Sequence, residues 1–153
     1  ADNLPHLGSD GHIPDLPLSA PESMTTDPLK KESTNSLGNI GEKLAREHLE
    51  AEGYAIIDTN WRLGRHEADI IAYYEGTLIF VEVKTRQDDN LGQPEEAVTL
   101  SKQRGYIKLA NAYMLSRRRE EEVRFDIISI IIRPTDFQLK HIVNAFSAVG
   151  LYL

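Results

Sequence analysis

The sequence contains no cysteine, and this absence excludes several kinds of site. Without cysteine the chain can have no disulfide scaffold, no thiolate zinc site and no cysteine nucleophile. It also lacks any apolar run near the roughly 20 residues that a membrane helix needs. The N-terminus has no basic start followed by a continuous apolar core, as a secretory signal would have. We therefore expect a cytoplasmic protein that has no membrane partner.

Positive charge is scarce as well, because the formal net charge at pH 7 is −7. A protein that binds nucleic acid usually has a basic surface to neutralise phosphates. The acidity is concentrated near the N-terminus, however, where residues 1–36 carry −4 and leave −3 for residues 37–153. Charge alone therefore leaves the partner of this protein undecided.

The N-terminal part of the chain differs in composition from the rest. Residues 1–36 are rich in Pro, Ser, Asp and Thr without a sustained hydrophobic period, which predicts a disordered extension. Met24 is a candidate natural start, and residues 1–23 are then either vector-derived or a mis-assigned upstream extension. Because the whole chain of 153 residues has the size of one domain, we place the fold in residues 37–153.

Hydrophobic periodicity in residues 37–153 predicts the element order αβββαββ. The first helix is predicted from Ile40 to Glu52 with Asn39 as its N-cap, and the second from Thr99 or Ser101 to about Ser116. The strands are predicted at Tyr54–Asn60, Ala68–Tyr74, Thr77–Lys84, Val123–Ile132 and Phe137–Val143. In the second helix an apolar stripe is interpreted as facing the core, and it consists of Tyr106, Ile107, Ala110, Tyr113 and Met114. The predicted fold class is α/β, a mixed central sheet flanked by helices.

The second and third strands are joined by a Glu-Gly dipeptide at positions 75–76, which suits a tight hairpin turn because glycine tolerates positive φ. With the turn centred there, Asp69 lies opposite Glu82, and Glu67 lies opposite Lys84, all on one face. A three-residue loop or a bulge would break this register. Directly opposed carboxylates destabilise a sheet, so stability alone would not favour Asp69 beside Glu82.

Two carboxylates about 4.5–5.5 Å apart between their Cβ atoms can share a hard divalent cation such as Mg²⁺ or Mn²⁺. Lys84, two residues beyond Glu82, would reach the same phosphate or the attacking water. This arrangement suits phosphodiester hydrolysis. The structural alternative is a solvent-exposed hairpin end where Glu67 pairs with Lys84 and the other acids point into water. Glu42 is either a capping partner of Asn39 or part of an acidic site, and its spacing does not decide between them.

Asp followed by a hairpin and Glu-x-Lys resembles the signature of the PD-(D/E)xK nucleases, here Asp69 and then Glu82-Val83-Lys84. A wider resemblance is carried by several segments, which are Leu37-Gly38, Gly41 to Ala45, Asn60 to Arg62, Glu67 to Ala72, Phe80 to Arg86, Gly92 to Val98, Lys102, Ala110 to Tyr113, and Arg124 to Asp126. In these segments the chain resembles the YraN family of small bacterial proteins. Before the hairpin the family pattern is Gly-Glu-Ile/Leu-Asp, and here His66 and Ala68 replace the glycine and the aliphatic residue while both acids are kept.

The resemblance implies a restriction-endonuclease-like fold and roles for individual residues. Asp69, Glu82 and Glu42 would bind the metal, much as in Holliday junction resolvases, and Lys84 would be the catalytic lysine. Candidates for contact with phosphate or DNA are Arg86, Gln93 and Lys102, although a strand-end charge, a loop amide and a solvated lysine explain them equally well. Asp126 is expected to anchor the core through hydrogen bonds. Junction-cleaving relatives commonly act as symmetric dimers, so a homodimer is also implied.

Two functions are therefore expected from the sequence and its resemblance. The first is a metal-dependent endonuclease acting on DNA, including branched or single-stranded DNA. The alternative is a catalytically weak nucleic-acid-binding module that acts with DNA-processing partners, and the net acidic charge favours this alternative slightly.

Overall fold

A computed structural model describes residues 29–87 and 92–148 of the chain. In these ranges the helices and strands follow the order α1 β1 β2 β3 α2 β4 β5, which confirms the predicted αβββαββ fold. The helices are α1, Leu29–Ala51, and α2, Leu100–Arg117, with a short 3₁₀ helix, Pro94–Ala97, before α2. The strands are β1, Ala55–Leu63; β2, His66–Tyr74; β3, Thr77–Arg86; β4, Glu122–Ile132; and β5, Phe137–Phe146. Neither α-helix is long and apolar enough to cross a membrane.

The first helix begins at Leu29, well before the predicted start at Ile40. Asn39 therefore lies inside the helix, and its prediction as the N-cap is wrong. The additional turns contain Leu, Lys and Glu, which favour helix, and extending an existing helix costs little compared with nucleating one. Residues 29–36 of the extension predicted to be disordered are thus helical, while residues 1–28 lie outside the described residues.

The strands form one mixed sheet in the order β1-β2-β3-β4-β5. β3 and β4 are parallel, because the chain crosses through α2 between them, and the other neighbouring strands are antiparallel. In the turn between β2 and β3 both Glu75 and Gly76 have positive φ, at 50° and 83°, as in a type I′ hairpin turn. The predicted register is confirmed where Tyr73 pairs with Leu78.

The two helices cover opposite faces of the sheet, so the core has two layers. On one face α1 buries Ala45 and Leu49 against strand residues that include Val81. On the other face α2 buries Leu109 against strand residues that include Phe80. Successive residues of β3 therefore point to different helices, as the two-residue period of a strand requires. The predicted arrangement, a mixed central sheet flanked by helices, is confirmed.

Candidate active site

The candidate site lies where β2 and β3 separate. Backbone pairing between these strands ends at Ile70 and Val81. One residue further along β2, a side chain replaces the backbone as the hydrogen-bond partner of β3. The Oδ2 atom of Asp69 accepts a hydrogen bond of 2.8 Å from the backbone N–H of Val83. Glu82, beside Val83 on β3, is only 3% exposed. Both carboxylates of the predicted pair are thus held at this end of the hairpin.

Beyond this point the predicted register differs from the observed one. Glu67 lies opposite Arg62 of β1, and its Oε2 is 3.6 Å from the Nε of that arginine. Lys84 lies opposite Ser129 of the parallel strand β4, and its Nζ is 3.5 Å from Glu82 Oε2. The predicted pairing of Glu67 with Lys84 is therefore not observed, because β2 diverges while β3 stays paired with β4. Lys84 belongs to the site through Glu82.

Glu82 is the centre of the hydrogen-bonded network in the site. Its Oε1 accepts a hydrogen bond of 2.6 Å from the hydroxyl of Tyr106, which belongs to α2. Its Oε2 lies 3.2 Å from the Nζ of Lys102, in addition to Lys84. The Tyr106 hydroxyl also accepts the backbone N–H of Asp69 at 3.4 Å. Burial raises the pKa of Tyr106 well above its usual value, so this hydroxyl remains a neutral donor to the carboxylate.

The acids of the site repel each other. Burial first, and then the charge of Glu82, raise the pKa of Asp69 to about 8. The hydrogen bond from Val83 and the charge of Lys102 act in the opposite direction without reversing the shift. Asp69 is therefore a partly buried carboxyl group with too little positive charge around it to favour ionisation.

Glu42 approaches the same site from α1. Burial is the largest cause that raises its pKa, and the charges of Glu67 and Glu82 raise it further, while a hydrogen bond with Asn60 lowers it. Because α1 begins ten residues before Asn39, the capping interpretation of Glu42 no longer applies. In the described ranges no three His, Asp or Glu side chains converge tightly enough to hold one ion. The role of Glu42 as a third metal ligand therefore stays a prediction.

Gly41 allows α1 to come close to the end of β3. A Cβ atom built on Gly41 would overlap the side chain of Thr85, so the helix backbone and the strand meet without room for a larger residue. Thr85 directly follows Lys84, and Glu42 directly follows Gly41. The absence of a side chain at this position thus sets how near Glu42 can approach the rest of the site.

Gly41→Ala is expected to lower the free energy of unfolding by up to about 2 kcal/mol, because overpacking costs about 1–3 kcal/mol and the gain in helix propensity offsets about 1 kcal/mol of this cost. Gly38→Ala is the matched control, since a Cβ on Gly38 of the same helix would meet nothing within 4 Å. This control should instead become more stable by up to about 1 kcal/mol. Urea unfolding measures both changes, and equal stabilisation of the two variants would contradict the close contact with Thr85.

A cavity of about 320 Å³ opens beside the carboxylates. Its lining combines the acids Glu67, Asp69 and Glu82 with the cations of Arg65 and Lys102. Thr99, which also lines the cavity, caps α2, because its Oγ1 accepts the backbone N–H of Lys102 at 3.2 Å. The predicted start of α2 at Thr99 is therefore confirmed, and this cap orients the turn that carries Lys102.

Of the three predicted substrate contacts, Lys102 is the one that reaches the described lining of this cavity. Arg86 ends β3 opposite Ile131, and Gln93 is the residue before the 3₁₀ helix. Their contact with substrate stays a prediction. His66 does line the cavity, and its ring lies so close to α2 that a Cβ on Gly105 would collide with it.

Comparison with known proteins assigns the chain to a family. A family model described as "Uncharacterised protein family UPF0102" matches residues 41–130, which include Glu42, Asp69, Glu82 and Lys84. The chain belongs to the UPF0102 family. The resemblance to the YraN family is thereby confirmed.

Individual UPF0102 proteins are similar along most of their length. The chain is 39% identical over 122 residues to a UPF0102 protein of Caldanaerobacter subterraneus subsp. tengcongensis, covering 77% of this chain and 100% of the relative. It is 46% identical over 112 residues to one from Bacteroides thetaiotaomicron, covering 73% and 93%. It is 40% identical over 112 residues to one from Flavobacterium psychrophilum, covering 73% and 94%.

In this UPF0102 chain, Tyr106 is the site residue that sequence reasoning missed. Its place in an apolar stripe predicts a core residue, and it is indeed only 3% exposed, but its hydroxyl reaches Glu82. Two signals could have indicated this. Lys102 and Tyr106 are four residues apart and so share one helix face, and a buried tyrosine hydroxyl requires a polar partner.

Proposed function

We propose that this protein is an endonuclease that depends on Mg²⁺ or Mn²⁺ and hydrolyses phosphodiester bonds of DNA, including branched or single-stranded DNA. The observation that carries this proposal is the grouping of Asp69 and Glu82 beside a cavity, with two lysine ammonium groups 3.2 and 3.5 Å from Glu82. Stability alone does not favour placing Asp69 and Glu82 together, because their negative charges repel each other. A catalytic site explains the arrangement.

The donor set fits a hard divalent cation. Mg²⁺ is usually held by one or two carboxylates, with water and substrate phosphate completing its coordination, so Asp69 and Glu82 suffice as protein ligands. The raised pKa of Asp69, about 8, reflects desolvation and the charge of Glu82, which outweigh the hydrogen bond from Val83 and the charge of Lys102. Glu42 would extend the ligand set from α1. All these donors are oxygen atoms, which Mg²⁺ and Mn²⁺ prefer.

The side chains of the site have distinct roles in the proposed reaction. Mg²⁺, when bound, polarises the phosphoryl oxygen and makes the attacking water more acidic. Lys84, held 3.5 Å from Glu82, either stabilises the negative charge that develops on the phosphate or helps to remove the proton from water. Tyr106 holds Glu82 in one orientation through its hydrogen bond of 2.6 Å. Such positioning matters because catalysis requires the ligands to be oriented before the reaction.

The proposal is tested by a cleavage screen over supercoiled plasmid, single-stranded circles, four-way junctions and RNA, with Mg²⁺, Mn²⁺ or EDTA. Cleavage of a DNA substrate is expected with metal and not with EDTA. Glu82→Gln should reduce its rate at least about 100-fold, the usual loss for one positioned polar group at a reaction centre. Glu50→Gln removes a carboxylate at an exposed position of α1 and should leave the rate unchanged. Cleavage that survives Glu82→Gln would refute the assignment.

The second candidate is a nucleic-acid-binding module that turns over slowly or not at all. Both oxygens of Glu82 already have protein partners, the hydroxyl of Tyr106 and two lysines, and this observation favours it. Salt-dependent DNA binding without cleavage of any substrate in the same screen would support this function over the nuclease.

A further inference from the structure

Two ammonium groups share one carboxylate oxygen in the site. Lys102 Nζ lies 3.2 Å and Lys84 Nζ 3.5 Å from Oε2 of Glu82, while Tyr106 occupies Oε1. Every oxygen of this buried carboxylate thus has a donor in contact. A divalent cation that binds Oε2 directly would have to compete with these two ammonium groups.

Lys102 is the donor best suited to move. Its side chain is 42% exposed, compared with 29% for Lys84, so less of it is fixed by packing. It extends from the first turn of α2, whereas Lys84 and Glu82 are held two residues apart on the same strand. Lys102 also lines the cavity, and Lys84 is not among the described residues that do. An ammonium group that leaves Glu82 from this position would remain inside the cavity.

We propose that Lys102 is an exchangeable counter-ion of Glu82, displaced by the catalytic divalent cation and then available to bind a phosphate of the nucleic acid in the cavity. This proposal rests on the proposed function, because it requires a metal ion at Glu82. The ammonium group and the metal ion repel each other and compete for the same oxygen. After displacement, Lys102 supplies positive charge where an acidic site would otherwise repel phosphate.

The exchange couples the binding of metal to the binding of nucleic acid. Without metal, Lys102 is paired with Glu82 and contributes little to phosphate binding. With metal, the same lysine is released and adds one phosphate contact. Metal should therefore increase the affinity for nucleic acid in two ways, through its own positive charge and through the release of Lys102. Removing Lys102 should abolish the second contribution and leave the first.

Titration with Mn²⁺ in a calorimeter, without nucleic acid, tests the competition directly. Lys102→Met keeps most of the side chain but removes its charge, and it should bind Mn²⁺ at least about tenfold more tightly than the wild type. Lys102→Arg keeps the charge and should bind Mn²⁺ with nearly wild-type affinity. Lys108→Met is the matched control, because it removes a charge from an exposed position of the same helix and should change the affinity by less than about twofold.

A second titration measures phosphate binding, with a cleavage-resistant phosphorothioate oligonucleotide in the presence of Mn²⁺. Lys102→Met should weaken binding and reduce the slope of log affinity against log salt by about 1, as expected for one lost phosphate contact. Lys108→Met should change this slope less than Lys102→Met does. Equal slopes in the wild type and Lys102→Met would overturn the proposal that the displaced Lys102 binds phosphate.

The outcomes separate this inference from the proposed function. If Glu82→Gln abolishes Mn²⁺ binding while Lys102→Met leaves the affinity unchanged, the exchange is overturned and the nuclease proposal stands. If Glu82→Gln leaves Mn²⁺ binding unchanged, the metal does not bind at Glu82, and both proposals are overturned.

Discussion

Asp69→Asn is expected to abolish metal-dependent cleavage and, in metal-free buffer at pH 8, to make the protein more stable. Asparagine keeps an oxygen that can accept the backbone N–H of Val83, which now lies 2.8 Å from the Asp69 carboxylate. It removes the charge that burial and Glu82 disfavour. Loss of one of the two carboxylates proposed to bind the metal should reduce the cleavage rate by about 10³-fold. A residue that raises stability when it is lost, while activity disappears, is retained for function.

The stabilisation should depend on pH in a defined direction. The pKa of Asp69 rises from 3.8 to about 8 on folding, so between these values the folded state binds more protons than the unfolded state. The stability contributed by this group is therefore lost as the pH rises from about 4 to about 8. Asparagine does not titrate, so the advantage of the variant should be almost nothing near pH 4 and should grow to several kcal/mol near pH 8.

Urea unfolding in EDTA at several pH values measures this dependence. Glu50→Gln, at an exposed position of α1, should show a change of less than about 0.5 kcal/mol at every pH. A constant difference between Asp69→Asn and the wild type across the pH range would contradict the uncompensated burial of this carboxyl group. Destabilisation of the variant at pH 8 would contradict it as well.

Asp126→Asn is expected to destabilise the protein by about 3–5 kcal/mol, the usual cost of breaking a buried ion pair. Asp126 is fully buried and accepts hydrogen bonds of 2.9 and 2.8 Å from the guanidinium of Arg124. It also accepts the backbone N–H of Asn144 at 2.9 Å and lies 2.7 Å from Nε2 of His141. The asparagine NH₂ group is a donor, so it cannot accept a hydrogen bond from the donor that it would face. Arg124 would also lose the negative charge that balances its guanidinium.

Asp136→Asn is the matched control for this change. Asp136 also pairs with an arginine, Arg133, at 2.8 Å, but its side chain is 46% exposed. Screening by water limits such a pair to at most about 1 kcal/mol. Urea unfolding should therefore show a much larger loss for Asp126→Asn, and similar losses in the two variants would contradict the structural importance of the buried pair.

The carboxylates of Asp69 and Asp126 differ in how far nearby donors and positive charges compensate for their desolvation. Burial alone would raise the pKa of Asp126, but its hydrogen bonds with His141 and Arg124 outweigh burial and hold the pKa below its usual value. The network extends to α1, because Nε2 of His48 lies 3.1 Å from Nδ1 of His141. Asp126 is thus a structural anchor, as the sequence predicted. Asp69 lacks such partners, as expected for a group that would bind a cation.

Local patterns in the sequence determine the order of elements, the hairpin turn and the proximity of Asp69 to Glu82. Strand period, helix period and turn chemistry each depend on a few neighbouring residues, so they can be read without the fold. The register is confirmed as far as Ile70 and Val81, because the turn at positions 75–76 fixes it. The early start of α1 was missed because its first turns have no clear apolar period.

Only the tertiary structure decided which distant side chains meet at Glu82. Lys102 and Tyr106 are about 20 residues away in sequence, and they reach this carboxylate because α2, which connects the parallel strands β3 and β4, packs on one face of the sheet. The same parallel pairing separates Lys84 from Glu67, which pairs with Arg62 of β1 instead. No local pattern encodes these contacts, because they depend on how distant elements pack. The sequence therefore determined the carboxylates of the site and Lys84 beside Glu82, and the packing of α2 added the ammonium group of Lys102 and the hydroxyl of Tyr106.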